Sequence, residues 1–234
     1  MIQKPELSLV LPFYNEEENV ERVLKELSAE FKKNKINYKL LAVNNGSHDK
    51  TSGIINNLVK KYKNIKKVDI VKNIGYGYGI LQGLKHAEGK YVGYGWGDGQ
   101  VAAADFVRVF QNLKTNSLDI SKAKRINRDD GLARKIQSKF YNKLMLVLFF
   151  INLSDVNGCP KIMRREVYES LKLESKDWFL DPELIIKAYR KKYKIGEVPI
   201  KFMERKSGKS KVKLSTSFEF LKNILRYRFM NLKK

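Results

Sequence analysis

The stretch LSLVLPFYNEEENVERVLKELSAEF, residues 7–31, decides the fold. Leu7 to Leu11 is a short apolar run ended by Pro12, which cannot donate to a ladder and so stops a central strand. Past a polar turn, Val20, Val23, Leu24, Leu27 and Phe31 recur at the spacing that lines one face of a helix. A strand buried on both faces that feeds an amphipathic helix is the first half of a βαβ unit.

The unit repeats downstream. Leu40 to Val43 is a second buried run, halted by Asn44-Asn45-Gly46-Ser47, and Ile54, Ile55, Leu58 and Tyr62 mark a second helix. Val68 to Val71 predicts a third strand and Tyr78 to Ala87 a third helix. Tyr91 to Tyr94 predicts a fourth strand running into Gly95-Trp96-Gly97-Asp98-Gly99-Gln100. Parallel neighbours need crossovers, and right-handed crossovers put helices on the faces, so the expected class is α/β with a mostly parallel sheet flanked by helices. Ligands of such sheets sit at the carboxyl ends of the strands. The clusters Tyr14-Asn15-Glu16, Asn44 to Ser47, Asn73 to Gly77 and Asp98 to Gln100 all follow strand ends, and one crevice should hold them.

Beyond residue 115 the pattern changes. It predicts a strand near Leu118 to Ser121, a basic loop, a helix from about Arg134 to Leu153, another from Pro182 to Tyr193, and a strand at Val198 to Met203. This half is expected to take the acceptor. Thr216-Ser217-Phe218-Glu219 has capping-box spacing, and Phe218, Leu221, Leu225, Phe229 and Leu232 lie opposite Lys222, Arg226 and Arg228. The expected organisation is one domain over residues 1–214 and a basic amphipathic helix over 215–234.

The 234 residues carry 47 Lys plus Arg against 25 Asp plus Glu, a formal charge of +22. Such a field attracts polyanions or anionic lipid. No RNP-type aromatic sequence, zinc-ligand spacing or basic zipper is present, so nucleic acid is not the expected partner. Cys159 is the sole cysteine, which rules out an intramolecular disulfide and fits a cytoplasmic setting. The N-terminal apolar run reads as a strand and not as a leader. Leu144 to Ile151 is apolar throughout but far shorter than the roughly 20 residues of a spanning helix.

Six segments in order resemble the family-2 glycosyltransferases of the GT-A, Rossmann-like fold, and within them the dolichyl- and polyprenyl-phosphate sugar synthases, over roughly residues 5–212. They are LPFYNE at 11–16, VNNGSHDKT at 43–51, NIGYG at 73–77, GDGQ at 97–100, DVNGCPK at 155–161 and RKSGKS at 205–210. The resemblance implies an inverting transfer of a hexose-type sugar from a nucleoside diphosphate to a polyprenyl phosphate, by an enzyme peripheral on the inner, cytosolic face of a membrane. It implies that Pro12, Tyr14, Asn15, Glu16, Asn44, Asn45, Gly46, Gly75, Asp98 and Gln100 hold the nucleotide. Asp98 would hold Mg or Mn, with Arg205 its catalytic companion on the leaving diphosphate. Arg125, Arg134, Ser138, Lys209 and Ser210 would bind the phosphates on the acceptor side, Lys209 and Ser210 sharing with Arg205 a segment that closes over the pyrophosphate.

The sequence departs from the family pattern twice. Asn44 and Asn45 stand where two aspartates are expected, and Trp96 stands where the metal motif has its first aspartate. A divalent ion on a diphosphate needs only one or two protein carboxylates, so Asp98 alone could serve. An ionised phosphate acceptor needs no general base, whereas a sugar hydroxyl does, and Asp181 and Glu183 could supply one. Two alternatives therefore stay open: transfer to a carbohydrate hydroxyl in surface-polysaccharide assembly, and a non-catalytic nucleotide-binding homologue. Asp49 and Thr51 are expected to cap the second helix. Leu144 to Phe150, flanked by Lys139 and Lys143, resembles a membrane-facing amphipathic helix, with core packing and a dimer face as the other readings.

Overall fold

The structure, a computed structural model, describes residues 4–126, 132–204 and 222–228, with 132–139 described by their backbone alone. Its elements run β1 (Leu7–Phe13), α1 (Val20–Lys33), β2 (Tyr38–Asn45), α2 (Thr51–Lys61), β3 (Ile65–Ile70), α3 (Tyr76–Leu84) and β4 (Tyr91–Tyr94). They continue with α4 (Ala103–Thr115), β5 (Ile120–Ile126), α5 (Leu132–Phe149), β6 (Lys161–Arg164), α6 (Arg165–Leu171), α7 (Leu180–Arg190) and β7 (Ile195–Lys201).

The strands form one seven-stranded sheet in the order β3-β2-β1-β4-β6-β5-β7. β1 pairs in parallel with β2 and β4, as does β2 with β3 and β5 with β7, while β6 runs antiparallel to both its neighbours. The chain steps outward from β1 to β2 and β3, then returns to place β4 on the other side of β1. Sheets of this kind take their ligands at such a reversal, here the carboxyl ends of β1 and β4.

β1 explains why the sheet is buried on both faces. Leu7, Leu9, Leu11 and Phe13 join one apolar cluster with the inward faces of α1, α2 and α4, and Val10 joins a second with α3, α6 and α7. The predicted face of α1 is the buried one: Val20, Val23, Leu24, Leu27 and Phe31 all point into the first cluster. Burying five such side chains contributes on the order of 10 kcal/mol of gross hydrophobic stabilisation.

The fifth strand begins at Ile120 and runs to Ile126, later and longer than the sequence predicted. β6, α6 and α4 were not anticipated. For β5 and β6 the reason is physical: Lys122 and Lys161 lie on these strands fully buried, so ISKAKRI and KIMR look like solvated basic strings. α4 carries a regular apolar face of Phe106, Val107, Val109, Phe110 and Leu113. Of the expected tail helix, residues 222–228 are described and helical; Ile224 is fully buried, and Tyr227 packs on Phe179 and Phe149. Among the described residues no helix is long and apolar enough to cross a membrane.

Candidate functional site

The loops at the rim are tied to one another before any ligand is considered. The loop after β1 meets the loop after β2 through Asn15 N–H to Ser47 Oγ (3.1 Å), His48 N–H to Asn15 Oδ1 (2.9 Å) and Glu16 N–H to Thr51 Oγ1 (2.9 Å). Glu17 N–H to Asp49 Oδ2 and Lys50 N–H to Glu17 Oε2 close the clasp. Asn15 itself takes a left-handed φ of 51°, which asparagine tolerates better than most residues. Asp49 Oδ1 accepts the Thr51 N–H, but Lys50 stands at the N-cap of α2 with no side-chain cap hydrogen bond, so Asp49 and Thr51, expected to cap the helix, serve instead to hold the β1 loop. Glu16 is buried and accepts from Asn19 Nδ2 at 2.8 Å.

Asn44 and Asn45 point to opposite faces at the end of β2. The Asn44 carboxamide donates to Asp69 Oδ1 (2.9 Å) and accepts the Ser47 N–H (3.2 Å), so both of its ends hold the loop. Asn45 is buried; its Nδ2 reaches Asn73 Oδ1 and the Gly75 carbonyl at 3.4 and 3.3 Å, and its Oδ1 has no partner. Gly46 has a left-handed φ of 73°, and a Cβ there would sit 2.5 Å from the Asn73 nitrogen. Only glycine lets the β2 and β3 loops approach this closely.

The turn after β4 lies against β1. A Cβ on Gly97 would meet the Phe13 ring at 2.6 Å and the Pro12 carbonyl oxygen at 2.8 Å, so Asp98 is held beside the β1 rim. Asp98 Oδ1 accepts the Gln100 N–H at 3.1 Å. Gln100 is fastened to Met203 twice, Nε2 to the Met203 carbonyl (2.9 Å) and Met203 N–H to the Gln100 carbonyl (3.0 Å). Gly75, opening α3, abuts the Lys176 carbonyl, and Tyr76 stacks on Trp178 with centroids 4.5 Å apart. The segment at Lys176 to Trp178 is thereby packed against the rim loops.

Trp96 does not plug the crevice as an isolated side chain; it is built into a wall. Its ring meets Phe202 edge-on at 5.4 Å, and the Arg125 guanidinium lies 5.2 Å from the Trp96 centroid and 5.5 Å from that of Phe202. Asp155 grips the same guanidinium in bidentate fashion, Nε to Oδ2 at 2.7 Å and Nη2 to Oδ1 at 2.8 Å, and also accepts the Arg125 N–H. Burial would raise the Asp155 carboxyl, but Arg125 and then Lys122 outweigh it and hold it well below the usual carboxylate range. Lys122 donates to the Asp155 and Ala123 carbonyls and to Glu197 Oε1, which fixes the loop that carries Asp155. Burial pulls the Lys122 ammonium below its ordinary value, against the opposing pull of Asp155 and Glu197.

A second buried network lies beneath the acceptor side. Lys161 Nζ donates to Asp181 Oδ1 and to the Gly158 carbonyl, and the Tyr94 hydroxyl donates to the same Asp181 oxygen. Burial, then the Asp181 carboxylate, push the Cys159 thiol up to about 12. Cys159 is fully buried. Glu183 is 1% exposed; its oxygens accept the N–H groups of Glu174 and Ser175 and pair with Lys187 at 2.6 Å. The two candidate general bases are thus both committed inside the protein.

The residues the sequence reading missed are Asp155, Lys122, Lys161 and Phe202. Asp155 stood in a resembling segment but had no visible partner, because Arg125 is 30 positions away. Of the expected acceptor-side groups, Arg125 ends β5 paired with Asp155 beside Trp96 and Phe202, Arg134 and Ser138 lie on α5 with side chains outside the described residues, and Arg205, Lys209 and Ser210 lie outside the described residues altogether. The apolar stretch of α5 and the residue that follows it is divided: Met145 is fully buried, whereas Phe140, Val147 and, just past the helix, Phe150 are 65%, 62% and 79% exposed. Neither core packing nor an exposed face alone describes it.

Three kinds of comparison agree with this geometry. The sequence pattern of glycosyl transferase family 2 matches residues 8–172, and the chain belongs to that family. It is 27% identical over 233 residues to a dolichyl-phosphate beta-glucosyltransferase of Trichomonas vaginalis, covering 91% of this chain and 71% of that protein. It is 28% identical over 234 residues to the dodecaprenyl-phosphate galacturonate synthase of Rhizobium johnstonii, covering 97% and 68%. Among solved structures, glucosyl-3-phosphoglycerate synthase from Mycobacterium tuberculosis with Mn2+, UDP and glucosyl-3-phosphoglycerate superposes with a TM-score of 0.76 at 16% identity, over 96% of this chain and 80% of that one. A mannosyltransferase from Pyrobaculum calidifontis with GDP-Man and Mn2+ gives 0.63 at 16%, over 99% and 65%. The fold is GT-A, and the chain is a glycosyltransferase.

Proposed function

We propose that this family 2 glycosyltransferase moves a hexose-type sugar from a nucleoside diphosphate to a polyprenyl phosphate at the cytosolic face of a membrane, with inversion at the anomeric carbon. The observation that carries the acceptor class is the commitment of Asp181 and Glu183 to buried partners. A sugar hydroxyl would need a carboxylate to take its proton, while an ionised phosphate is already a nucleophile. The polyprenyl-phosphate chemistry named for the two relatives supports the same class.

In this reading Pro12, Tyr14, Asn15, Glu16, Asn44, Asn45, Gly46, Gly75 and Gln100 shape the nucleoside side of the crevice, several of them by holding the loops that face it. Arg125, Arg134, Ser138, Lys209 and Ser210 bind the phosphates on the acceptor side, and Arg205 stabilises the departing diphosphate. An acceptor phosphate oxygen forms the bond to the anomeric carbon as the bond from that carbon to the diphosphate breaks. The nucleoside diphosphate leaves with the electron pair, and no proton moves.

For a divalent ion the donor set is thin. Trp96 brings no ligand atom, and among the described residues no group of three acidic, His or Cys side chains could hold an ion. Asp98 would be its one carboxylate, the diphosphate supplying the rest. Bound there, Mg or Mn would neutralise charge on the leaving diphosphate.

The exposed Phe140 and Val147 of α5 and Phe150 just past its end, with exposed Lys143 on the same helix and Arg226 on the tail helix, suit the surface of an anionic leaflet. Each juxtamembrane cation contributes about 1 kcal/mol there. The test is transfer of labelled sugar from a panel of nucleoside-diphosphate sugars to vesicles carrying a polyprenyl phosphate. Labelled lipid phosphate is expected; label appearing only on carbohydrate hydroxyls would overturn the assignment.

A further inference from the structure

Four chain segments meet at the turn after β4: the turn itself at Trp96, the end of β5 at Arg125, the loop at Asp155 and the exit of β7 at Phe202. The guanidinium at their centre lies 5.2 and 5.5 Å from the centroids of two aromatic rings that touch each other edge-on, and its edge is fixed by two bonds to one carboxylate. Such a group has lost its rotational freedom before any ligand arrives, and a preorganised donor does not have to reorganise when an anion binds. The Trp96–Phe202 contact and the double Gln100–Met203 bond fix the same wall to the turn that carries Asp98.

The charge pattern at the rim points the same way. Asn44, Asn45 and Trp96 at the ends of β2 and β4 are all neutral, and Asp98 is the one acid of its turn. With Trp96 in place of an acid, the β4 turn brings one carboxylate toward a diphosphate instead of two, so the turn repels the anion less and has less need of an ion to mask its own charge.

We infer that Arg125 is the fixed cation of the donor site, so that the nucleoside diphosphate binds with little dependence on a divalent ion. Trp96 and Asp155 are positioning residues that act through Arg125. An ion adds to the bound nucleotide through Asp98 and is not a condition for binding. This rests on the nucleotide reading above and extends Arg125 from the acceptor phosphate to the donor diphosphate beside it.

The test is calorimetric titration of the full chain with uridine and guanosine diphosphates, in EDTA and in Mn2+, with electron paramagnetic resonance of free Mn2+ as a separate count of ion uptake. For the protein as it stands, the affinity for whichever nucleotide binds changes by less than about threefold between the two conditions. Arg125→Lys keeps the charge but loses the fork and the stack, and weakens binding in EDTA by about tenfold. Trp96→Asp adds a carboxylate, takes up Mn2+ with the nucleotide, and binds about tenfold more tightly with Mn2+ than without. Should Trp96→Asp not fold, Asp155→Asn gives the same direction for Arg125, weakening binding in EDTA while preserving the smaller Mn2+ increment. Binding by the unaltered protein that falls about tenfold or more in EDTA overturns the inference alone. No binding of either nucleotide in either condition overturns the nucleotide reading and this inference together.

Discussion

Replacing Glu183 with glutamine separates a structural carboxylate from a catalytic one. The Glu183 oxygens accept two backbone N–H groups, from Glu174 and Ser175, and pair with Lys187, whose ammonium also donates to the Lys172 carbonyl. Glutamine keeps the shape and one acceptor oxygen but loses the charge. A hydrogen bond to a charged group contributes about 1 kcal/mol more than a neutral one, so two of them place the loss at roughly 2–3 kcal/mol. The Lys187 pair adds less than a fully buried pair would, because the Lys187 side chain is 21% exposed. For a chain of this size each kcal/mol lowers the melting temperature by about 2–4 °C, so a fall of roughly 5–12 °C is expected in differential scanning calorimetry. Sugar transfer, assayed well below that transition, should keep kcat within about threefold. Loss of a general base would instead lower kcat by about 100-fold or more. A drop of that size with an unchanged melting temperature would refute the structural role of Glu183 and return the hydroxyl-acceptor alternative.

Three further outcomes follow from the same contacts. Lys161→Met leaves the buried Asp181 carboxylate without its cation and should destabilise by about 3–5 kcal/mol in urea titrations, a loss that the double variant Lys161→Met/Asp181→Asn partly restores. Asp155 has its carboxyl lowered by Arg125 and Lys122 against the cost of burial, so its contribution is fully present above about pH 4 and fades as pH falls below that value. Denaturant midpoints measured from pH 6 down to pH 2 should therefore fall less steeply for Asp155→Asn than for the unaltered chain. Gly46→Ala puts a methyl 2.5 Å from the Asn73 nitrogen at a φ of 73°, and should cost about 1–3 kcal/mol while weakening nucleotide binding, read together by thermal shift with and without nucleoside diphosphate.

Why part of this protein could be read from its residues and part could not is clearest at particular positions. The α1 face from Val20 to Phe31 was legible because helical spacing is written into consecutive residues, and each of those side chains meets the same sheet. That the rim clusters at Asn15, Asn44 and Asp98 would come together was legible because all follow strand ends on one side of a parallel sheet, and the loops that carry them do meet. Their duties were not. Asn44 looked like a nucleoside contact, and the structure shows its two ends spent on Asp69 and Ser47, 25 and 3 positions away. Trp96 looked like a lost ligand, and its neighbours Arg125 and Phe202 make it a wall.

By itself the sequence determined the alternation of strand and helix and the end of the sheet at which the polar loops gather, since both follow from local periodicity and from the stops that Pro12 and Asn44 to Ser47 impose. Only the tertiary structure decided which charges work for the fold. Lys122 and Lys161 became interior groups, Asp181 and Glu183 were taken up by buried partners, and Asp155 was matched to Arg125. Each of these depends on a burial and a partner that residue type alone does not specify, because the free energy of a charge is set by what surrounds it.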